Sequence, residues 1–123
     1  LDLRLIIAGS RDLNLKYPLG ISDFVSHFLK DKPTEVVSGG AKGIDTLGEE
    51  YAGARLIDIK RFEPDYKSYP GKVAPIMRNK EMAKYADCLL IIWDGESKGS
   101  SNMKEEMLKL KKPVYEVILK AHE

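Results

Sequence analysis

One cysteine, Cys88, stands in 123 residues, so neither an internal disulfide nor a cysteine-rich metal site can form. The two histidines are His27, on a helical stretch, and His122, in the tail; neither suggests a catalytic base or a metal ligand. No apolar run approaches the roughly 20 residues that span a bilayer. The opening residues read as a strand rather than a signal peptide, and a cytoplasmic protein without membrane contact is expected. Charge of one sign is not in excess: 20 basic residues face 19 acidic ones, for a formal net charge of +1. Strong non-specific nucleic-acid binding usually shows as a basic excess, so that class loses ground unless a local patch supplies it. Two phosphate signatures are also missing. The turn "SGGAKGID" lacks the Gly-Lys-Ser/Thr ending of the triphosphatase phosphate loop, and its glycines do not meet the Gly-x-Gly-x-x-Gly spacing of dinucleotide enzymes. ATP hydrolysis and hydride transfer recede with them.

The composition that is present, 43% hydrophobic and 32% charged, is that of a globular protein, and the length fits a single domain over residues 1–123. Five short apolar runs recur: "LRLIIAG", "TEVVSG", "RLIDIKRF", "DCLLIIW" and "PVYEVIL". Their branched residues suit strands, and "LIIA" and "CLLIIW" look buried on both faces. Helical stripes alternate with them. Ile21, Phe24, Val25, Phe28 and Leu29 form the first, with Ser22 as its cap. Ile44, Leu47, Tyr51 and Ala52 form the second, ahead of Gly53. Pro75 opens a third at its first position, carrying Ile76, Asn79, Met82 and Ala83 on one face. The fourth runs from about Ser101 to Leu110. Such alternation implies parallel βαβ units with right-handed crossovers. The expected fold is a Rossmann-like α/β/α sandwich with a five-stranded, mainly parallel sheet in the order 3-2-1-4-5.

Ligands of open parallel sheets sit at the carboxyl ends of the strands. Three of these strands end in glycine with a hydroxyl and a cation: Gly9-Ser10-Arg11, Ser38-Gly39-Gly40 with Lys42 and Gly43, and Asp94-Gly95 with Lys98, Gly99 and Ser100. Glycine lets backbone N–H groups approach an anion, and helix N-termini add positive partial charge. One such turn is as readily a tight connection as a site; three converging on one edge point to a phosphorylated ligand. Arg11 and Arg78 are the cations to watch, against the ordinary alternative of surface ion pairs. Lys42 and Lys98 could equally be solvated. Asp45 either caps the second helix or touches a ribose hydroxyl, and Asp94 either accepts from a ribose or forms its turn. Trp93 reads as core or pocket wall, Cys88 as inert core, Tyr66 and Tyr69 as stacking or lid candidates, and "KLKK" as a solvated helix end.

The segments "IIAGSRD", "VVSGGAKGID", "PIMRNKEMAKYADCLLIIWDG" and "SKGSS" together resemble the small phage and bacterial proteins called domain of unknown function 2493. That group lies in the SLOG superfamily, with the Lonely Guy phosphoribohydrolases and the Rossmann-like part of DNA-processing protein A. The resemblance runs from about Leu3 to Val117 and implies binding of nucleotides or nucleotide-derived sugars, with no cofactor or metal, and a homodimer packed through helices. In the Lonely Guy pattern Arg78 matches a motif arginine and Gly99-Ser100 match a later glycine and hydroxyl. The glutamate of that pattern falls at Met103, and a thioether cannot shuttle a proton. The DNA-processing pattern matches Gly9-Ser10-Arg11, Ser38 to Asp45, and Arg78-Asn79.

Three functions follow as alternatives. The first is a nucleotide-binding or sensing module, using Gly9, Ser10, Arg11, Ser38, Gly39, Gly40, Lys42, Gly43, Asp45, Arg78, Asn79, Asp94, Gly95, Lys98, Gly99 and Ser100. The second is an N-glycosidase or phosphoribohydrolase acting through Arg78 and Asp94, with Asp45 or a partner's glutamate as other carboxylate sources. The third is a binder of single-stranded nucleic acid, against which the charge balance and small size count.

Overall fold

The computed structural model describes residues 2–12 and 20–119; His122 lies outside them. Five strands, β1 (Arg4–Gly9), β2 (Glu35–Ser38), β3 (Asp58–Arg61), β4 (Cys88–Trp93) and β5 (Val114–Ile118), alternate with four helices, α1 (Gly20–Phe28), α2 (Ile44–Ala54), α3 (Val73–Tyr85) and α4 (Lys98–Lys109). The sheet order is β3-β2-β1-β4-β5, parallel throughout. Each of the five apolar runs became a strand, and the order is the expected one.

The sheet is covered on both faces because the central strands are apolar on both. On one side Leu5, Ile7, Val36, Leu90 and Ile92 pack against Ile21 and Val25 of α1 and Ile44, Tyr51 and Ala52 of α2. On the other, Ile6, Val37, Leu89, Ile91 and Trp93 pack against Met82 and Ala83 of α3 and Met103 and Met107 of α4. All six residues of β4 are buried, while all four of β3 are exposed. That contrast follows from position, since β4 sits beside the centre and β3 at the rim.

Several boundaries depart from the sequence expectation. Ser22 lies inside α1 and does not cap it; its hydroxyl accepts a bond from Arg55 Nη2 at 2.6 Å. Gly53 lies inside α2, which stops only at Ala54, before the left-handed Leu56 (φ 56°). α3 begins at Val73, so Pro75 occupies its third position. A proline is harmless there because first-turn N–H groups have no intrahelical partner. Ile76 is 39% exposed and leaves the stripe of Asn79, Met82 and Ala83. α4 starts at Lys98, three residues earlier than its apolar periodicity suggests.

Lys112 is not a solvated helix end. Its Nζ donates to the carbonyls of Ala83, Lys84 and Ala86 at 2.8, 3.0 and 2.7 Å, which closes the C-terminus of α3 with a cation. Cys88 is buried, and burial pushes its thiol up to about 11. No helix among the described residues is long and apolar enough to cross a membrane.

Candidate functional site

With β1 central, the connections that follow β1 and β4 pass to opposite faces of the sheet, which makes their carboxyl ends the switch point of strand order. A cleft of about 390 Å³ opens there. Ten of the residues singled out from sequence line it: Gly9, Ser10, Arg11, Gly39, Asp45, Arg78, Asn79, Asp94, Gly99 and Ser100. Six do not: Ser38, Gly40, Lys42, Gly43, Gly95 and Lys98. Sequence reasoning passed over Ala8, Asp12, Ala41, Pro75, Met82 and Ser97 as wall residues. Met103, the position at which the sequence resemblance sets a glutamate, lines the cleft too.

Two glycines are explained by packing before any ligand is considered. A Cβ on Gly9 would lie 1.8 Å from the Ile92 carbonyl oxygen, so β1 and β4 can approach this closely only with glycine there. Gly43 holds φ +79°, and a Cβ on it would meet the Ser10 and Arg11 carbonyl oxygens at 2.5 Å. It lets the start of α2 abut the β1 turn, where the Ile44 amide donates to Ser10 O at 3.4 Å.

The second turn uses its own amides internally. Gly40 N–H donates to Ser38 Oγ at 3.0 Å and Ala41 N–H to Asp45 Oδ2 at 3.2 Å. The buried Ser38 hydroxyl in turn donates to Glu49 at 2.6 Å, and Arg61 grips the same carboxylate. Ser38 and Gly40 therefore shape the turn from behind the cleft wall.

Ser10 joins the other two turns. The Asp94 amide donates to its Oγ at 3.1 Å, and Ser10 and Ser97 Oγ atoms lie 3.0 Å apart. Ser97 Oγ donates its one hydrogen to Asp94 Oδ1 at 2.9 Å, which makes Ser10 the donor to Ser97. Asp94 Oδ1 also accepts the amides of Glu96 and Ser97 at 2.8 and 2.9 Å. These three donors hold its carboxyl down at about 2. Asp94 is thus a turn former facing the cleft, ionised at neutral pH.

Arg78 is the half-buried cation of the wall. Nη1 donates to Gly39 O at 2.7 Å, and Nε to Asn79 Oδ1 at 3.1 Å. Burial lowers its pKa, while Asp45 nearby raises it. Burial raises the Asp45 carboxyl, with the Ala41 amide and Arg78 opposing. Asn79 Nδ2 reaches Gly99 O at 3.3 Å and Asn102 Oδ1 at 2.9 Å, pinning the first turn of α4 to α3. The early start of α4 places Lys98, Gly99 and Ser100 in that turn, where backbone N–H groups lack intrahelical acceptors. Glu105 and Glu106 do not line the cleft; Glu106 is buried against Lys80, Asn102 and Lys109.

The ionic lining mixes both signs, with Arg11 and Arg78 beside the three carboxyl side chains of Asp12, Asp45 and Asp94. Such a wall offers donors to an anion and carboxylate acceptors to hydroxyl groups. No group of three or more metal-ligating side chains occurs among the described residues.

Fold and cleft together define a Rossmann-like α/β protein with a ligand-sized opening at its switch point. Among solved structures, the chain is similar to DNA processing protein A from Streptococcus pneumoniae. The TM-score is 0.74 at 16% identity, over 99% of this chain and 52% of that one. The chain thus spans about half the length of that protein. No family model matches the sequence, and no curated protein matches it.

Proposed function

We propose that this chain, as a single SLOG-type domain of the kind called domain of unknown function 2493, binds a nucleotide or nucleotide-derived sugar phosphate in the cleft and does not cleave it. The observation that carries this reading is the convergence, in one cleft, of Arg78 and the first turn of α4 with the carboxylates of Asp45 and Asp94. The cation and the open N–H groups suit a phosphate; the carboxylates suit ribose hydroxyls. Glycosidic cleavage builds positive charge on the sugar and needs a second group to protonate the leaving base. Met103 offers neither, and Asp94, held ionised at about 2, cannot act as the acid at neutral pH. General acid–base help is worth about 10²–10⁴-fold, and without it hydrolysis is slow or absent.

The structural neighbour is a DNA processing protein, and short single-stranded DNA belongs in the test for that reason. A cleft lined by three carboxylates and two guanidinium groups favours the small ligand over a polyanion.

The test is a thermal-shift screen with AMP, ADP-ribose, cyclic nucleotides, NAD and a short DNA oligomer, paired with chromatography for released base. A ligand bound only by the folded state stabilises it by about 2.7 kcal/mol at a hundredfold excess over Kd. Stabilisation by a nucleotide without base release is expected. Brisk release that disappears in Asp94→Asn would replace the binding reading with an N-glycosidase.

A further inference from the structure

The rim strand β3 carries a surface separate from the cleft. Its four residues, Asp58, Ile59, Lys60 and Arg61, are all exposed, and no strand among the described residues pairs its outer edge. Ile59 is 41% exposed. Which backbone groups point outward follows from one bond: Phe62 N–H donates to Ser38 O of β2 at 2.9 Å. Backbone polar groups alternate direction along a strand. Phe62, Lys60 and Asp58 therefore turn theirs toward β2, and Ile59 and Arg61 present theirs outward.

We propose that β3 is a homodimer edge, pairing antiparallel with β3 of a second copy about a two-fold axis at Ile59. Ile59 of each copy then exchanges both N–H···O=C bonds with Ile59 of the other, the narrow pair of an antiparallel ladder. The register sets Asp58 of each copy opposite Lys60 of the other, on the same sheet face. Neither residue forms an ion pair within the chain among the described residues; Lys60 only overlies the Phe62 ring at 5.5 Å. Opposite charges directly across two strands attract, and like charges repel.

Neighbouring registers fail on the same grounds. Centring on Lys60 sets two lysines face to face at a position whose backbone groups already point inward. Centring on Arg61 opposes two guanidinium groups and leaves Asp58 unmatched. Edge lysines ordinarily discourage sheet extension; here an aspartate two residues away turns the same charge into a register code. Because the pairing is isologous, it closes at two copies. It runs along the sheet rim, not through helices.

Sedimentation velocity of the whole chain over a wide concentration range tests this, with circular dichroism to confirm folding of each variant. Wild type is expected to show a concentration-dependent monomer–dimer equilibrium. Asp58→Lys and Lys60→Asp should each weaken self-association by about tenfold or more. An equimolar mixture of the two variants should associate again, because crossed pairs then match. Ile59→Pro should abolish the dimer while keeping the fold, since it removes only an outward N–H. A wild type that stays monomeric at the highest concentration would overturn the proposal, as would a dimer indifferent to these charge changes.

Discussion

Arg78 spends two of its five N–H groups on Gly39 O and Asn79 Oδ1, and the rest remain for a ligand in the cleft it lines. Arg78→Ala should weaken nucleotide binding by about 1.5–3 kcal/mol, the scale of a charge-assisted hydrogen bond. Titration calorimetry reads this directly, and unchanged affinity would remove Arg78 from the site. Gly9 makes a different kind of claim. With the Ile92 carbonyl oxygen 1.8 Å from where a Cβ would stand, Gly9→Ala must push β1 and β4 apart, at a cost of about 1–3 kcal/mol or more. Urea unfolding measures that loss, and a neutral substitution would contradict the packing account. Asp94 adds a pH dependence whose sign is fixed. Its carboxyl is held at about 2 in the fold, below the ordinary aspartate value of about 3.9. The turn's contribution is therefore complete above that ordinary value and lost as pH falls through about 2. Carboxyl carbon NMR should place its midpoint near 2, and a midpoint in the ordinary range would mean that the three donors are not engaged.

At the scale of elements, the strands were legible because buried parallel strands are written as uninterrupted branched apolar runs, as in "CLLIIW". The helix starts were not. α4 begins at Lys98, directly after a turn in which Asp94 gathers the Glu96 and Ser97 amides and the Ser97 hydroxyl, a polar signal that the apolar stripe from Ser101 onward conceals. The same gap hides internal wiring: the hydroxyls of Ser10 and Ser38 and the amide of Asn79, expected to meet a ligand, also bind neighbouring turns and helices. Side-chain type announces polar chemistry, but only tertiary placement says whether its partner is the protein. Lys112 shows this as well. In sequence it is one of a run of lysines; in the fold it takes three carbonyls at the end of α3. Lys112→Met should cost about 1–2 kcal/mol of stability through the lost helix-end cation. Thermal unfolding checks it, with Lys111→Met as the comparison expected to change little, since the Lys111 side chain makes no hydrogen bond or ion pair among the described residues.

For the whole molecule, the parallel sheet fixes where a ligand can sit, and the side chains at the switch point decide what it can be. Strand order alone put the glycine turns of β1, β2 and β4 at one edge, which is why the cleft could be located from sequence. Its full ionic lining could not, because Asp12 enters the wall with the β1 turn, which packs against the start of α2. The same architecture separates the cleft from the β3 rim, so self-association and nucleotide binding should vary independently. The central claim is that a nucleotide occupies the cleft at the carboxyl edge of the sheet. An amide NMR titration of the folded chain with AMP tests it most directly. The account predicts saturable shifts concentrated at Gly9 to Asp12, Gly39 to Ala41, Arg78 and Ser97 to Ser100, with no free adenine appearing over the experiment. Shifts confined to the opposite edge of the sheet, or none at saturating AMP and related nucleotides, would contradict it.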